Sequence, residues 1–277
     1  MAAQRFRQPR VAEIVASKLR DDILSGRLKE GDVLPPQESL FCEFGVSPPA
    51  LREAIHILET DGLISVRRGN VGGAVIHRPT AERTAHMISM VLQARAATPV
   101  DVSAALMHLE PICAGMCAVR EDRMAEVVPC LQTEIDIQTA QFDDVSRYVP
   151  NARRFHETLV SRCGNEPMIL LIGSLELIWS AHESSVWNGH GEPAPMVDKT
   201  RRAALRDHQR LLDAICDGNA ARAVRLAQDH LAAARRNTLA VGADQTIEAR
   251  LISDLGPRLG PRSAYNGRPQ SRKGSGR

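Results

Sequence analysis

The sequence predicts a mainly α-helical protein: an N-terminal domain of three short helices closed by a β-hairpin, and a C-terminal antiparallel bundle of helices. Three observations support this fold class. Apolar residues recur at helical spacing over most of the chain. Aromatic residues make up only 3% of the composition while Ala and Arg are abundant, which favours helix over strand. Strand patterning with a glycine-rich tip occurs only between residues 63 and 77.

The ends of the N-terminal helices are predicted from glycine, serine, proline and aspartate residues in the sequence. Gly26 and Gly45 end the first two predicted helices, because glycine readily adopts the left-handed conformation at a helix C-terminus. Ser47 suits the N-cap of the third helix, and Pro48 suits its first turn. Asp61 with the following glycine breaks that helix. The predicted elements are helices over 11–26, 37–44 and 48–60, then strands over 63–68 and 73–77.

This order of helix, helix, turn, helix and hairpin is that of a winged helix-turn-helix, a DNA-binding fold. A helix beginning after Ser47 has the size to lie in a major groove, with its N-terminal residues nearest the bases. Arg52 is about one turn into that helix and is placed to reach a base edge or a phosphate. Arg67 and Arg68, beside Gly69 at the hairpin tip, are suited to phosphate or minor-groove contact.

The rest of the chain is predicted to be helical up to about residue 254, with helix boundaries near Pro99, Asn165 and Gly218. The predicted helices are 82–97, 100–119, 122–140, 146–163, 166–187, 197–217 and 219–241. The predicted domains are a winged helix-turn-helix over 1–78, a linker over 79–81, a ligand-sensing and dimerisation bundle over 82–254 and a disordered basic tail over 255–277.

Composition and charge limit the classes of protein to which this sequence can belong. The 277 residues carry a net charge of only +2, so overall charge does not indicate nucleic-acid binding. No uninterrupted apolar run approaches the roughly 20 residues that span a bilayer, and the N-terminus lacks the apolar stretch of a signal peptide. The six scattered cysteines fit reduced thiols better than disulfides or a Cys-based metal site. We therefore expect a cytoplasmic protein without a membrane partner.

The N-terminal motifs resemble the DNA-binding domain of GntR-type transcription regulators. The resemblance lies in GDVLPPQESL, FGVSPPALREAIHILETDGLI and VRRGNVGGAVI, within residues 10–78. It implies a winged helix that binds double-stranded operator DNA, with Arg52 matching a family position. Two cationic positions of the family are occupied here by Pro48 and Glu38, which implies fewer phosphate or guanine contacts.

The helical remainder resembles the ligand domain of the FadR-like branch of that family, of the type called FCD. The segments HLEPICAGMCAVR, ARRFHETLVSRCGN and DHQRLLDAICDGNAARAVRLAQDHL carry this resemblance. It implies a small-molecule effector and a divalent metal, zinc or similar, held by His156, His208 and His230. Imidazoles on separate helices bind such ions and leave positions open for water or a ligand carboxylate.

Two departures bear on that site. The family places an Asp four residues before the first histidine, where this chain has Ala152, and often an Arg where this chain has Leu106. Two interpretations stay open: a three-histidine site of reduced affinity, or a site without metal whose histidines bind an organic anion. His182 and Arg153 are further candidates for the effector pocket, although a hydrogen-bonded structural histidine beside Trp179 is the favoured interpretation of His182.

Three functions are compatible with these features. The first is a ligand-responsive homodimeric regulator, with repression of a metabolic operon and a small carboxylate or other organic anion as effector. The second is a DNA-binding protein whose helical domain has lost its ligand. The third is a metal-dependent hydrolase, which is disfavoured because no general base stands at a recognisable spacing. The sequence therefore predicts a regulator and not an enzyme.

Overall fold

The structure, a computed structural model, describes residues 10–67, 73–189, 198–242 and 246–250. The chain divides into two compact units, residues 1–80 and 81–277. The basic tail predicted over 255–277, together with Arg68 and Gly69 of the predicted hairpin tip, lies outside the described residues.

The N-terminal unit has the predicted order of elements. It contains α1 (Val11–Leu24), α2 (Gln37–Phe44), α3 (Pro48–Thr60), β1 (Ile64–Arg67) and β2 (Gly73–Ile76). Its core is formed by apolar side chains on the inward faces of the three helices and of β2, namely Leu19, Ile23, Leu40, Leu51, Leu58 and Ile76, none more than 3% exposed. This packing leaves the opposite face of α3 in solvent.

Strands β1 and β2 form an antiparallel hairpin in which Ile64 pairs with Ile76 and Arg67 with Gly73. The G-D-x-L-P turn lies beside β2, because the Leu34 N–H donates to the Ala74 carbonyl at 2.8 Å. The close approach requires glycine at position 73, since a Cβ there would be 2.5 Å from Val33 Cγ1. The turn motif and the hairpin are therefore one structural unit.

The C-terminal unit consists of helices and their connections over its described residues. The predicted helix over 122–140 is broken at Val127 into two, and Ala81, predicted to be in the linker, belongs to a helix. The elements are α4 (Ala81–Ala94), α5 (Pro99–Val119), α6 (Arg123–Glu126), α7 (Val128–Ala140), α8 (Val145–Ser161), α9 (Glu166–Gly189), α10 (Asp198–Cys216) and α11 (Ala220–Gly242).

Helix α5 is the central helix of this unit, in contact with α8, α9, α10 and α11. By length and composition alone it is the one helix among the described residues that is long and apolar enough to cross a membrane. However, 56% of its apolar window is buried within the protein, and it carries the fully buried Glu110. These features are those of the core helix of a bundle.

A short segment after α11, residues 246–250, returns to the bundle. Its Ile247 is fully buried, and the Ile247 N–H donates to the Ala97 carbonyl at 2.9 Å. The Ala249 N–H donates to Gln93 Oε1 at 2.9 Å. The segment therefore fastens the C-terminal side of the bundle to α4 and to the α4–α5 connection.

Candidate DNA-binding helix and histidine cluster

The exposed face of α3 contains the residues predicted to meet DNA. Ser47 occupies the N-cap position in extended conformation, and Arg52 projects into solvent one turn further along. The Ser47 side chain makes no capping hydrogen bond within the described structure, unlike the sequence expectation. The reason is that Pro48 and Pro49 fill the first two helical positions, so one of the amides that an N-cap usually satisfies is missing.

Helix α3 presents a second nitrogen-bearing side chain that the sequence analysis missed. His56 follows Arg52 by four residues, so both lie on one face, and the His56 side chain is 79% exposed. The neighbouring Glu53 is paired with Arg10 at 3.4 Å, which offsets its negative charge. Arg67 is exposed at the end of β1. The i, i+4 spacing of Arg52 and His56 was the available sequence signal.

In the C-terminal unit the three predicted metal ligands converge, one each from α8, α10 and α11. The Nε2 atoms of His156, His208 and His230 form a triangle: His208 is 3.1 Å from His230, and His156 is 3.3 Å from each of the other two. All three side chains are buried, with exposures between 1% and 6%. Three imidazole nitrogens at these distances can serve as one face of a metal coordination sphere.

The other ring nitrogen of each histidine faces an oxygen. His156 Nδ1 is 2.5 Å from Glu110 Oε1, and His208 Nδ1 is 2.8 Å from Gln138 Oε1. His230 Nδ1 is 3.7 Å from an Asp207 carboxylate oxygen. The two hydrogen-bonding oxygens favour a proton on Nδ1 of His156 and His208, and the Asp207 carboxylate attracts one to Nδ1 of His230, so the three Nε2 lone pairs point at one another. Such an arrangement is repulsive unless a cation or a proton lies between them.

Protonation is disfavoured at two of these rings. Burial lowers the pKa of His156 and of His208 well below the usual histidine value, with the Arg153 guanidinium adding to the effect on His156. Neutral imidazole is the form that binds metal. His156 and His208 therefore have the protonation state of metal ligands at neutral pH.

The nitrogen triangle has the dimensions of zinc coordination. Zn–N bonds of about 2.0–2.1 Å in a tetrahedral site separate ligand nitrogens by roughly 3.3 Å. The observed separations of 3.1–3.3 Å agree with this. Ala152, one turn before His156, contributes no oxygen ligand. The residues thus fit a divalent ion with three nitrogen ligands and at least one coordination position left for water or an effector atom.

The acceptors around the triangle were not predicted from the sequence. Glu110 and Asp207 were quoted only as letters of family segments. Asp207 precedes His208 but faces His230, on the next helix, so its position beside His208 did not indicate the contact. Gln138 and Glu110 lie 70 and 46 residues from the histidines they contact, so no local pattern could identify them.

Beside His156 lies a buried group of three charged residues, Glu110, Glu176 and Arg153. Arg153, on α8, forms an ion pair with Glu176 on α9, and its guanidinium carbon is 6.0 Å from the centre of the Trp179 ring. Burial raises the pKa of Glu176 well above its usual value, and that of Glu110 as well. Arg153 is thus held next to the histidine cluster by Glu176. Its role in effector binding stays a prediction.

His182 contacts the returning C-terminal segment. Its Nδ1 is 2.9 Å from the Ile178 carbonyl, and its Nε2 accepts a hydrogen bond from the Glu248 N–H at 2.9 Å. Burial lowers the pKa of His182, in keeping with a neutral ring that donates on one side and accepts on the other. The structure thus gives His182 a packing role, and its place in an effector pocket stays a prediction.

A winged helix joined to a helical domain with a metal-type histidine cluster defines a class of DNA-binding regulators that sense small molecules. Comparison with protein families agrees with this class. The model for "Bacterial regulatory proteins, gntR family" matches residues 11–73, and the FCD domain model matches residues 101–233. Together the two matches span most of the chain.

Proteins named as regulators align with this chain over most of their own length. The HTH-type transcriptional regulator Mce2R of Mycobacterium tuberculosis is 27% identical, over 87% of this chain and 97% of that protein. The HTH-type transcriptional repressor NanR of Salmonella newport is 24% identical, over 80% of this chain and 83% of that protein. Among solved structures, the Streptococcus agalactiae GntR protein has a TM-score of 0.62 at 21% identity, covering 82% of this chain and 99% of its own. That likeness supports the fold.

The chain belongs to the GntR family of transcription regulators and carries an FCD domain. The GntR domain implies DNA binding, and the FCD domain implies a small-molecule effector. The predicted family and fold class are confirmed, as is the prediction of a regulator and not an enzyme, because the relatives are named regulators.

Proposed function

We propose that this protein is a ligand-responsive repressor of a metabolic operon. The N-terminal domain binds double-stranded operator DNA through α3 and the hairpin, and the FCD domain binds a small carboxylate or another organic anion. Effector binding changes the relative positions of two DNA-binding domains in a homodimer and thereby changes operator affinity. The similarity to a protein named a transcriptional repressor supports the direction of regulation.

The observation that carries this proposal is the convergence of His156, His208 and His230 on one point inside the FCD domain. These residues hold a divalent metal ion, zinc or similar. A bound ion supplies a buried positive charge that attracts an anionic effector, and the open coordination position accepts one effector oxygen. The protein itself orients the imidazoles through Glu110, Gln138 and Asp207.

A homodimer is part of the proposal. Helix α4 presents an apolar face to solvent, where Met87, Met90 and Val91 are 59%, 40% and 52% exposed. These residues follow the i, i+3, i+4 spacing of a single helix face. An exposed apolar face of this kind fits burial against a second copy, and winged helices commonly read paired half-sites. The protein works in the cytoplasm, where operator DNA is.

Two measurements test the proposal. Gel-shift titration against the DNA upstream of the gene should show binding that weakens steeply as salt rises, because phosphate contacts release counterions. A thermal-shift screen of small carboxylates, with and without zinc, should give a higher melting temperature for at least one compound, and the same compound should alter DNA binding. Carboxylates that bind without changing DNA affinity would contradict a ligand-responsive regulator.

A further inference from the structure

The histidine cluster has a charge imbalance. Three neutral imidazoles around a divalent ion leave two positive charges inside the protein, and a buried charge is costly unless an opposite charge lies nearby. Ala152 supplies no carboxylate. Arg153, beside the cluster, is itself a cation, and its charge is paired with that of Glu176. Before an anionic effector binds, only other residues of this chain can offset part of that charge.

On the basis of the metal site proposed above, we propose that Glu110 and Asp207 are positioning residues that replace the missing carboxylate, acting through the imidazoles of His156 and His230. Each carboxylate faces the Nδ1 atom of its histidine, at 2.5 Å for Glu110 and 3.7 Å for Asp207. The two carboxylates would offset part of the charge of a divalent ion, and Asp207 shares its charge with Arg210 at 3.4 Å.

The environment of Glu110 fits this role. Its side chain is 1% exposed, so solvent screens its charge little. Its second oxygen, Oε2, has no hydrogen-bond partner among the described residues, although it is buried. A buried glutamate in the middle of a core helix is destabilising unless a compensating group lies nearby. The His156 imidazole, 2.5 Å away, and the ion that it would hold are those compensating groups.

The third histidine differs from the other two. His208 Nδ1 faces the amide oxygen of Gln138, which can orient the ring but carries no charge. Gln138 is fully buried, and its Nε2 has no partner within the described structure. The site therefore separates two functions: all three acceptors orient their imidazoles, whereas two of them also offset the metal charge. This separation can be tested because a Glu-to-Gln change removes charge and keeps an acceptor.

The test measures zinc and cobalt affinity of the full-length protein by competition with a chromophoric chelator. Glu110→Gln and Asp207→Asn should each weaken metal binding about 10- to 100-fold. Gln138→Glu should tighten it, because it places a third carboxylate behind an imidazole. The matched control is Glu134→Gln, a mostly buried acid that contacts Thr158 and Arg154 and no histidine. Its affinity should equal that of the wild type.

Two further readouts keep the result interpretable. The absorption spectrum of the cobalt-loaded protein should keep its shape in Glu110→Gln, because the ligand atoms do not change. Melting without metal shows whether each variant folds, and Asp207→Asn is the safer variant because Asp207 is 30% exposed. Wild-type affinity in both folded variants would overturn this inference and leave the metal site standing. A wild-type protein that binds neither metal would overturn the proposed metal site and this inference with it.

Discussion

Ala152 is a small residue with a large predicted effect, because it precedes His156 by one helical turn and projects from the same face of α8. Ala152→Asp should add an oxygen ligand to the three nitrogens and strengthen zinc binding. It should also raise the melting temperature in the presence of zinc, since an ion that binds only the folded state stabilises it. Chelator competition and thermal melting measure the two effects.

Asn151→Asp is the matched control for that change. It introduces the same charge one position away, where the side chain is turned about 100° around the helix and hydrogen-bonds to Gln141. It should give little gain in affinity. Equal gains from both substitutions would indicate a general charge effect and would contradict a ligand position at residue 152.

Arg52 is the residue on which the proposed operator contact depends most. Arg52→Ala should weaken operator binding by about 1–3 kcal/mol if the side chain reads a base, and by less if it contacts only phosphate. Arg202→Ala is the control, because Arg202 is also exposed but lies on α10 of the FCD domain, where it pairs with Asp198. Gel-shift titrations of both variants on operator and on unrelated DNA separate the cases. Operator affinity unchanged by Arg52→Ala would refute this placement of α3.

Among the single residues, the sequence identified His156, His208 and His230 as metal ligands only through the family resemblance. The sequence pattern around His156 does not distinguish it from any other histidine on a helix. The structure supplies the distances that make them a cluster. Their acceptors could not be predicted, since contacts across 46 and 70 residues depend on how helices pack. His56 was within reach of sequence reasoning and was missed.

The helices themselves were largely predictable, because each is specified by its own apolar periodicity and by glycine or proline at its ends. The break between α6 and α7 was not predicted. Pro129 lies in the first turn of α7, where its missing N–H cannot continue a helix from α6. Val128, the residue before that proline, is also disfavoured in a helical conformation. This signal was present in the sequence and was outweighed by the apolar pattern around it.

The returning segment after α11 was predicted only as the end of the helical domain. It has no periodicity of its own, and its position depends on partners more than 60 residues away. Ile247→Ala should lower the free energy of unfolding by about 2–5 kcal/mol, because it empties a fully enclosed site. Arg250→Ala, at a side chain that is 75% exposed, is the control. Chemical denaturation followed by circular dichroism measures both.

A loss below about 1 kcal/mol for Ile247→Ala, similar to that of the control, would mean that the segment is not packed in solution as described. The comparison separates the segment from the basic tail beyond it, since neither substitution alters residues 251–277.

For the whole molecule, the exposed face of α4 leads to a prediction about assembly. Met90→Glu should shift the protein from dimer to monomer, because a charge replaces an apolar side chain at the proposed interface. It should also weaken binding to a two-site operator more than to a single half-site. Light scattering at micromolar concentration measures the mass.

Met124→Glu is the control, since Met124 is 55% exposed on α6, away from that face. A wild-type protein that is monomeric alone and on DNA would contradict the dimer. A Met90→Glu variant that stays dimeric would assign the interface to another surface.

The course of residues 246–250 also has a consequence for chain connectivity. His86 Nδ1, a little more than one turn from the start of α4, lies 3.3 Å from the Ala249 carbonyl. The part of the C-terminal unit that the structure describes therefore begins and ends at neighbouring points, as in many domains that tolerate rearranged termini. A circular permutant that joins residue 250 to residue 81 by a short linker, and opens the chain at the exposed turn around Gly218, should fold to the same bundle. In the natural order, this proximity means that a protein fused after residue 250 would be tethered close to the point where the DNA-binding domain is attached.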